Sequence, residues 1–163
     1  MTRCAAAIGS ILFFFLAPGT IAGLIPWWIT RWDMAASNQA LMAAGGLIVA
    51  AGLAGLVACF ARFAVEGLGT PAPVAPTKVL VIGGLYRFVR NPMFVAVTAI
   101  ILGQALTFAS LAVAAYGLVI WLAFQAFILM YEEPTLRVTY GDQYAAYCAA
   151  VPRWIPRLRA WSP

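Results

Sequence analysis

The sequence predicts an all-α, polytopic membrane protein with about four transmembrane helices and a cytoplasmic amphipathic helix near the C-terminus. Three observations carry that expectation. Of 163 residues, 64% are hydrophobic and only 9% charged, against roughly 25% charged in a soluble domain. The uncharged runs reach bilayer length: Met34–Ala61 covers 28 residues and Asn91–Tyr131 covers 41. Charged or proline-rich segments separate those runs instead of interrupting them. A chain of this length suits a single membrane domain over 1–163.

The first helix is expected over about 5–27. It follows Arg3 and ends at Trp27-Trp28, as a span ending in an interfacial aromatic belt does. A secretory signal peptide with Ala5–Ala17 as its apolar core is the alternative reading of this run. The second helix, about 36–60, is rich in small residues. Gly46, Ala50 and Ala54 recur every four positions, as do Ala51 and Gly55. That pattern lets helices approach closely in lipid. It serves packing within the chain or a homodimer face.

The connection 62–91 contains three closely spaced prolines, Pro71, Pro73 and Pro76, which disfavour helix. Val79–Ile82 is expected as a short strand-like piece before the turn at Gly83-Gly84. The 41-residue run then supplies two helices, about 92–108 and 111–131, turning near Thr107–Ser110. At about 1.5 Å per residue it is roughly 60 Å of helix, or two bilayer widths. Its ends must therefore return to one water interface. Gln104 and Gln125, the polar amides within it, are expected to hydrogen-bond between helices.

The segment 132–163 is expected to be cytoplasmic. Leu136, Tyr140, Tyr144, Tyr147 and Val151 fall on one helical face. Such a tyrosine stripe either anchors the helix at the lipid interface or covers a ligand. From Val151 to Arg157 two prolines forbid a continuous helix.

Basic residues set the topology. With four crossings, one side holds Arg3, Arg62, Lys78, Arg87, Arg90, Arg137, Arg153, Arg157 and Arg159, and the other only Arg31. The positive-inside rule makes the first side cytoplasmic, in a plasma or inner membrane. The net charge of +5 is thus a topology signal and gives no reason to expect nucleic acid. It also suits a tail held against anionic membrane lipid.

Cys4, Cys59 and Cys148 lie far apart, so neither a disulfide nor a metal site is expected. The chain has no histidine. That excludes Ser-His-Asp and Cys-His nucleophile systems and histidine-based metal sites. Any enzyme chemistry here would draw on a reactive cofactor taken from solution.

Four charges stand at the ends of the long uncharged run: Arg87 and Arg90 before it, Glu132 and Glu133 after it. The arginines could mark the boundary, and Glu133 could pair with Arg137 one turn on. Adjacent carboxylates at that boundary are harder to explain, because they contribute little to topology. Charge at a membrane edge points to function.

The ordered set of motifs resembles the integral-membrane isoprenylcysteine carboxyl methyltransferase family and its phospholipid-methyltransferase relatives. The pieces are Gly69-Thr70-Pro71-x-Pro73 and Gly84-x-Tyr86-Arg87-Phe88-Val89-Arg90-Asn91-Pro92-Met93-Phe94. They continue with Glu132-Glu133-x-x-Leu136, Tyr140-Gly141-x-x-Tyr144-x-x-Tyr147 and Val151-Pro152-Arg153. The resemblance implies S-adenosylmethionine bound in a cytoplasm-facing pocket, with a lipophilic acceptor reaching it from the bilayer. It implies cofactor contacts from Tyr86, Arg87, Asn91, Pro92, Glu132, Tyr144, Tyr147 and Arg153. It places Arg90 and Glu133 nearest the reacting centre. The family often has histidine where Asn91 stands, and tyrosine where Phe94 stands. Methyl transfer from a sulfonium needs alignment and exclusion of water more than it needs an imidazole. An amine acceptor would need a base, with Glu133 the candidate. Two other readings compete: an NADPH-dependent membrane reductase of sterol-reductase type, and a non-enzymatic membrane subunit with a charged docking face.

Overall fold

The structure, a computed structural model, describes residues 3–63, 65 and 79–162. The Gly69–Pro73 motif and the proline-rich part of the connection lie outside them. Among the described residues the protein is helical, without strands. Helix α1 (Arg3–Leu16) runs through a π-helical segment, Thr20–Leu24, into α2 (Ile25–Thr30). Then come α3 (Gln39–Arg62), a 3-10 turn at Gly84–Arg87, α4 (Pro92–Thr107) and α5 (Leu111–Phe127). A second π segment, Ile128–Glu132, joins α5 directly to α6 (Glu133–Ala150). Ile11–Thr30, Gln39–Arg62 and the helix from Leu111 onward are long and apolar enough to cross a membrane, and α4 is a shorter apolar helix.

Each π segment stands just before a proline, and the reason is physical. Proline has no N–H and its ring collides with the carbonyl four residues back. Pro26 leaves the Ala22 carbonyl without its helical donor. Gln104 Nε2 on α4 fills that vacancy at 2.6 Å, and the Tyr116 hydroxyl on α5 donates to the Ile21 carbonyl at 2.9 Å. The expectation for Gln104 is met, and the first apolar run is an integral member of the bundle. Pro134 does the same to Met130. There the Glu133 N–H reaches back to Ile128, and the Thr135 hydroxyl caps the Tyr131 carbonyl at 2.6 Å.

Helices α3 and α4 form the closest pair, antiparallel, and glycine makes that approach possible. A Cβ on Gly45 would collide with the Gly103 carbonyl and the Thr107 hydroxyl. One on Gly103 would stand 2.8 Å from Val49, and one on Gly52 2.7 Å from Ile100. The small residues at the interface are therefore Gly45, Gly52 and Gly103, together with the expected Gly55, where a Cβ would stand 3.7 Å from the Ala96 side chain. The expected Gly46, Ala50 and Ala54 face is exposed. Leu56, Phe60, Val97, Ile100, Ile101 and Val113 fill the core, with Phe13 and Phe14 of α1 against Phe60.

Two other expectations are corrected. Val79–Ile82 forms no strand; Val81 packs on Cys59 and Tyr86, while Leu80 and Ile82 pack against α6. The fourth helix does not end at 131. It continues through Pro134, because the π turn absorbs the proline, and bends at Gly141 (φ 49°).

Candidate functional site

The α4–α5 hairpin turns at Phe108–Ser110, where the Ser110 hydroxyl caps the Val113 N–H at 3.3 Å. This turn returns Glu132 and Glu133 to the end from which Arg90 and Asn91 start. Arg90 Nη1 donates to Glu133 Oε1 at 3.2 Å. From the C-terminal segment, Arg153 grips the same carboxylate at both oxygens, Nε to Oε1 at 2.7 Å and Nη2 to Oε2 at 3.0 Å. Glu133 is only 7% exposed. Burial raises its carboxyl, but the Arg153 hydrogen bond and the charges of Arg90, Arg153 and Arg137 outweigh that and hold it below the usual range. The expected pairing with Arg137 gives way to these closer partners.

Glu132 is different. Its Oε2 is buried and has no hydrogen-bond partner among the described residues. Burial, then the adjacent Glu133 charge, pushes its carboxyl up to about 7. It lies beyond the roughly 20 residues that α5 needs for its crossing. Arg90 Nε is likewise buried and unpartnered among the described residues. Among the described residues, one acceptor on Glu132 and one donor on Arg90 are thus left open, on the two residues that neighbour or bond Glu133.

The chain past Val151 forms a strap over residues 87–91. Arg90 N–H donates to the Pro152 carbonyl, Arg157 N–H to Phe88 and Trp161 N–H to Arg87, each at 2.9 Å. Arg87 Nε donates to the Trp161 carbonyl at 2.6 Å. Asn91, 7% exposed, donates from Nδ2 to the Arg153 carbonyl at 3.2 Å. Its amide therefore fixes the strap. Pro92 is buried at the first turn of α4.

The tyrosine stripe faces inward, against the chain itself. Tyr144, Tyr147 and Val151 form a core with Leu80, Ile82 and Trp161. The Tyr147 hydroxyl donates to the Tyr86 carbonyl at 2.7 Å. Burial pushes the Tyr86, Tyr144 and Tyr147 hydroxyls well above their ordinary range, so all three stay protonated.

Arg90, Asn91, Glu133 and Arg153 thus converge, with Glu132 beside Glu133 in the chain and within charge range of Tyr86, and Pro92, Tyr144 and Tyr147 nearby. Arg87 holds the strap from its far end. Sequence reasoning missed Cys148, whose sulfur accepts from Arg90 Nη1 at 2.9 Å. It also missed Trp154, which donates to Gln125 Oε1 at 2.6 Å, so that Gln125 bonds the strap and not another helix. No spacing rule announces either contact.

A family model described as phospholipid methyltransferase matches residues 40–143. The chain belongs to the phospholipid methyltransferase family. This is the isoprenylcysteine carboxyl methyltransferase-like group to which the motifs around Arg90 and Glu132 are similar. Family and apolar helices together make the chain an integral-membrane methyltransferase. The match runs from the start of α3 past the Gly141 bend and takes in Tyr86 through Pro92, Glu132 and Glu133. Tyr144, Tyr147 and Arg153 lie beyond it. No curated protein and no solved structure matches the chain.

Proposed function

We propose that this phospholipid methyltransferase family member moves the methyl group of S-adenosylmethionine to a lipophilic acceptor carried by the bilayer, an isoprenylcysteine carboxylate or a similar group. The observation that carries the reading is the pair of open groups at the hairpin mouth, Glu132 Oε2 and Arg90 Nε. A buried carboxylate without a donor fits an ammonium, and a buried guanidinium N–H without an acceptor fits a carboxylate. An amino-acid moiety presents both. When bound, the cofactor supplies a methyl group already activated on a sulfonium, so no base is required to prepare the donor.

The chain's own part is alignment and exclusion of water. Glu132 holds the ammonium, Arg90 the carboxylate. Tyr86, Asn91, Pro92, Tyr144 and Tyr147 shape the wall, and Arg87 and Arg153 keep the strap closed above it. Glu133 braces Arg90 and Arg153. Held as a doubly paired anion, it is poorly suited to be a general base. An acceptor that is nucleophilic without deprotonation, such as a carboxylate, fits this site better than an ammonium form of a lipid amine. The distribution of basic residues supports a mouth and both termini in the cytoplasm, by the positive-inside rule. A homodimer would use the exposed Gly46, Ala50 and Ala54 face.

The test is transfer of labelled methyl from S-adenosylmethionine into the organic phase of a membrane lipid extract. The wild type is expected to label it, and Glu132→Gln and Arg90→Gln to lose most of that label. Tight NADPH binding with no binding of S-adenosylmethionine would overturn the reading in favour of a reductase.

A further inference from the structure

Residues 154–159 of the strap are not needed for the ion pairs of the site, yet two large apolar side chains in them are exposed. Ile155 is 78% exposed and Leu158 100%. Their level in the bilayer follows from one hydrogen bond. Helix α5 starts at Leu111 and uses about 20 residues to cross, so its boundary lies near Met130. Gln125 stands five residues before that, roughly 7–8 Å inside at 1.5 Å per residue. Trp154 Nε1 bonds Gln125 Oε1 at 2.6 Å, and its ring lies 5.6 Å from that of Trp121, one turn deeper still.

Trp154 is therefore held below the membrane boundary, at the depth where interfacial tryptophan and amphipathic segments sit. Ile155 follows it directly and faces acyl chains at that level. The main chain then climbs back, since Arg157 and Trp161 bond Phe88 and Arg87 just outside α4. Leu158 and the exposed Arg159 lie on that return. At the same end, among the described residues, Arg62, Arg87, Arg90, Arg137, Arg153, Arg157 and Arg159 face only Glu132, Glu133 and Asp142 in opposite charge. An anionic headgroup layer complements that excess.

We propose that the Trp154–Arg159 turn is a wedge seated in the bilayer, with Ile155 and Leu158 among acyl chains and Arg159 on anionic lipid headgroups. The inference rests on the membrane reading of the chain and on no detail of the methyl-transfer reaction.

The test uses the full chain in vesicles, with a spin label on Ile155→Cys, on Leu158→Cys and, as the aqueous reference, on Asp142→Cys. The unsubstituted chain gives the background from its native cysteines. The labels at 155 and 158 are expected to be relaxed by oxygen in preference to a water-soluble nickel chelate, and the label at 142 the reverse. Adding phosphatidylglycerol to phosphatidylcholine vesicles should favour the seated state about five-fold through Arg159, a gain that Arg159→Gln removes. Aqueous accessibility at 155 equal to that at 142 would overturn the proposal. So would protection from both reagents, which would mean that a protein surface covers the turn. Neither outcome depends on activity, so the methyltransferase reading stands or falls separately.

Discussion

Burial and the neighbouring Glu133 charge push Glu132 up to about 7, while Arg153, Arg90 and Arg137 hold Glu133 down. The folded-state value of Glu132 lies above that of the unfolded chain. Its favourable contribution to stability is complete below about 4.5 and disappears as pH rises through about 7. Glu132→Gln is therefore expected to raise the melting temperature above pH 7, by an amount equivalent to about 1–3 kcal/mol. If Glu132 holds an ammonium, the same substitution must weaken ligand binding. In wild type the affinity for S-adenosylhomocysteine should drop about tenfold per pH unit below about 7, because the carboxyl must lose its proton first. Removing Glu133 should act oppositely on stability. Glu133→Ala leaves Arg90 and Arg153 facing each other and is expected to cost about 3–5 kcal/mol, measured by thermal unfolding in detergent. Charge positions in the sequence selected Arg87, Arg90, Glu132 and Glu133 as a group, of which Arg87 holds the strap at Trp161 instead. They could not assign the two carboxylates, because that depends on which of them the distant Arg153 reaches.

At the scale of elements, the crossings and the hairpin turn were readable from uncharged length alone, since a bilayer tolerates little else. The continuity of α5 into α6 was not. Proline argues for a break, and only the π turn at Ile128–Glu132 shows how the helix passes it. Past that turn Glu133 meets Arg90, while Glu132 stands within charge range of Tyr86. Replacing Pro134 by alanine restores a donor to Met130 and allows the π turn to relax. The helix should be no less stable, but S-adenosylhomocysteine affinity should fall, as a binding titration would show. The α3–α4 contact makes a contrasting prediction. Gly103→Ala inserts a methyl 2.9 Å from the Gly45 carbonyl and should destabilise by about 1–3 kcal/mol. Gly46→Ala has open space around it and should be neutral or slightly stabilising in the same unfolding assay. Periodicity showed that α3 carries small residues but not which of its faces meets α4.

Over the whole molecule, the proposed orientation rests on nine basic residues expected on one side and Arg31 alone on the other. A membrane-impermeant thiol reagent should label Asp33→Cys from outside and Asp142→Cys only after the membrane is opened. The same arrangement gathers α4, α5, α6 and the strap at one mouth, where residues separated by 20 to 62 positions share hydrogen bonds. Such contacts join a matched family region, 40–143, to a strap beyond it, and local sequence patterns carry little information about them. The central claim is that this mouth binds a methyl donor through Glu132. Titration of S-adenosylhomocysteine into the purified full chain tests it most directly, with wild type compared to Glu132→Gln near pH 8. Saturable binding is expected, weakening about tenfold or more in the variant, the loss expected for a charge-assisted hydrogen bond. Equal affinity in both proteins would contradict it.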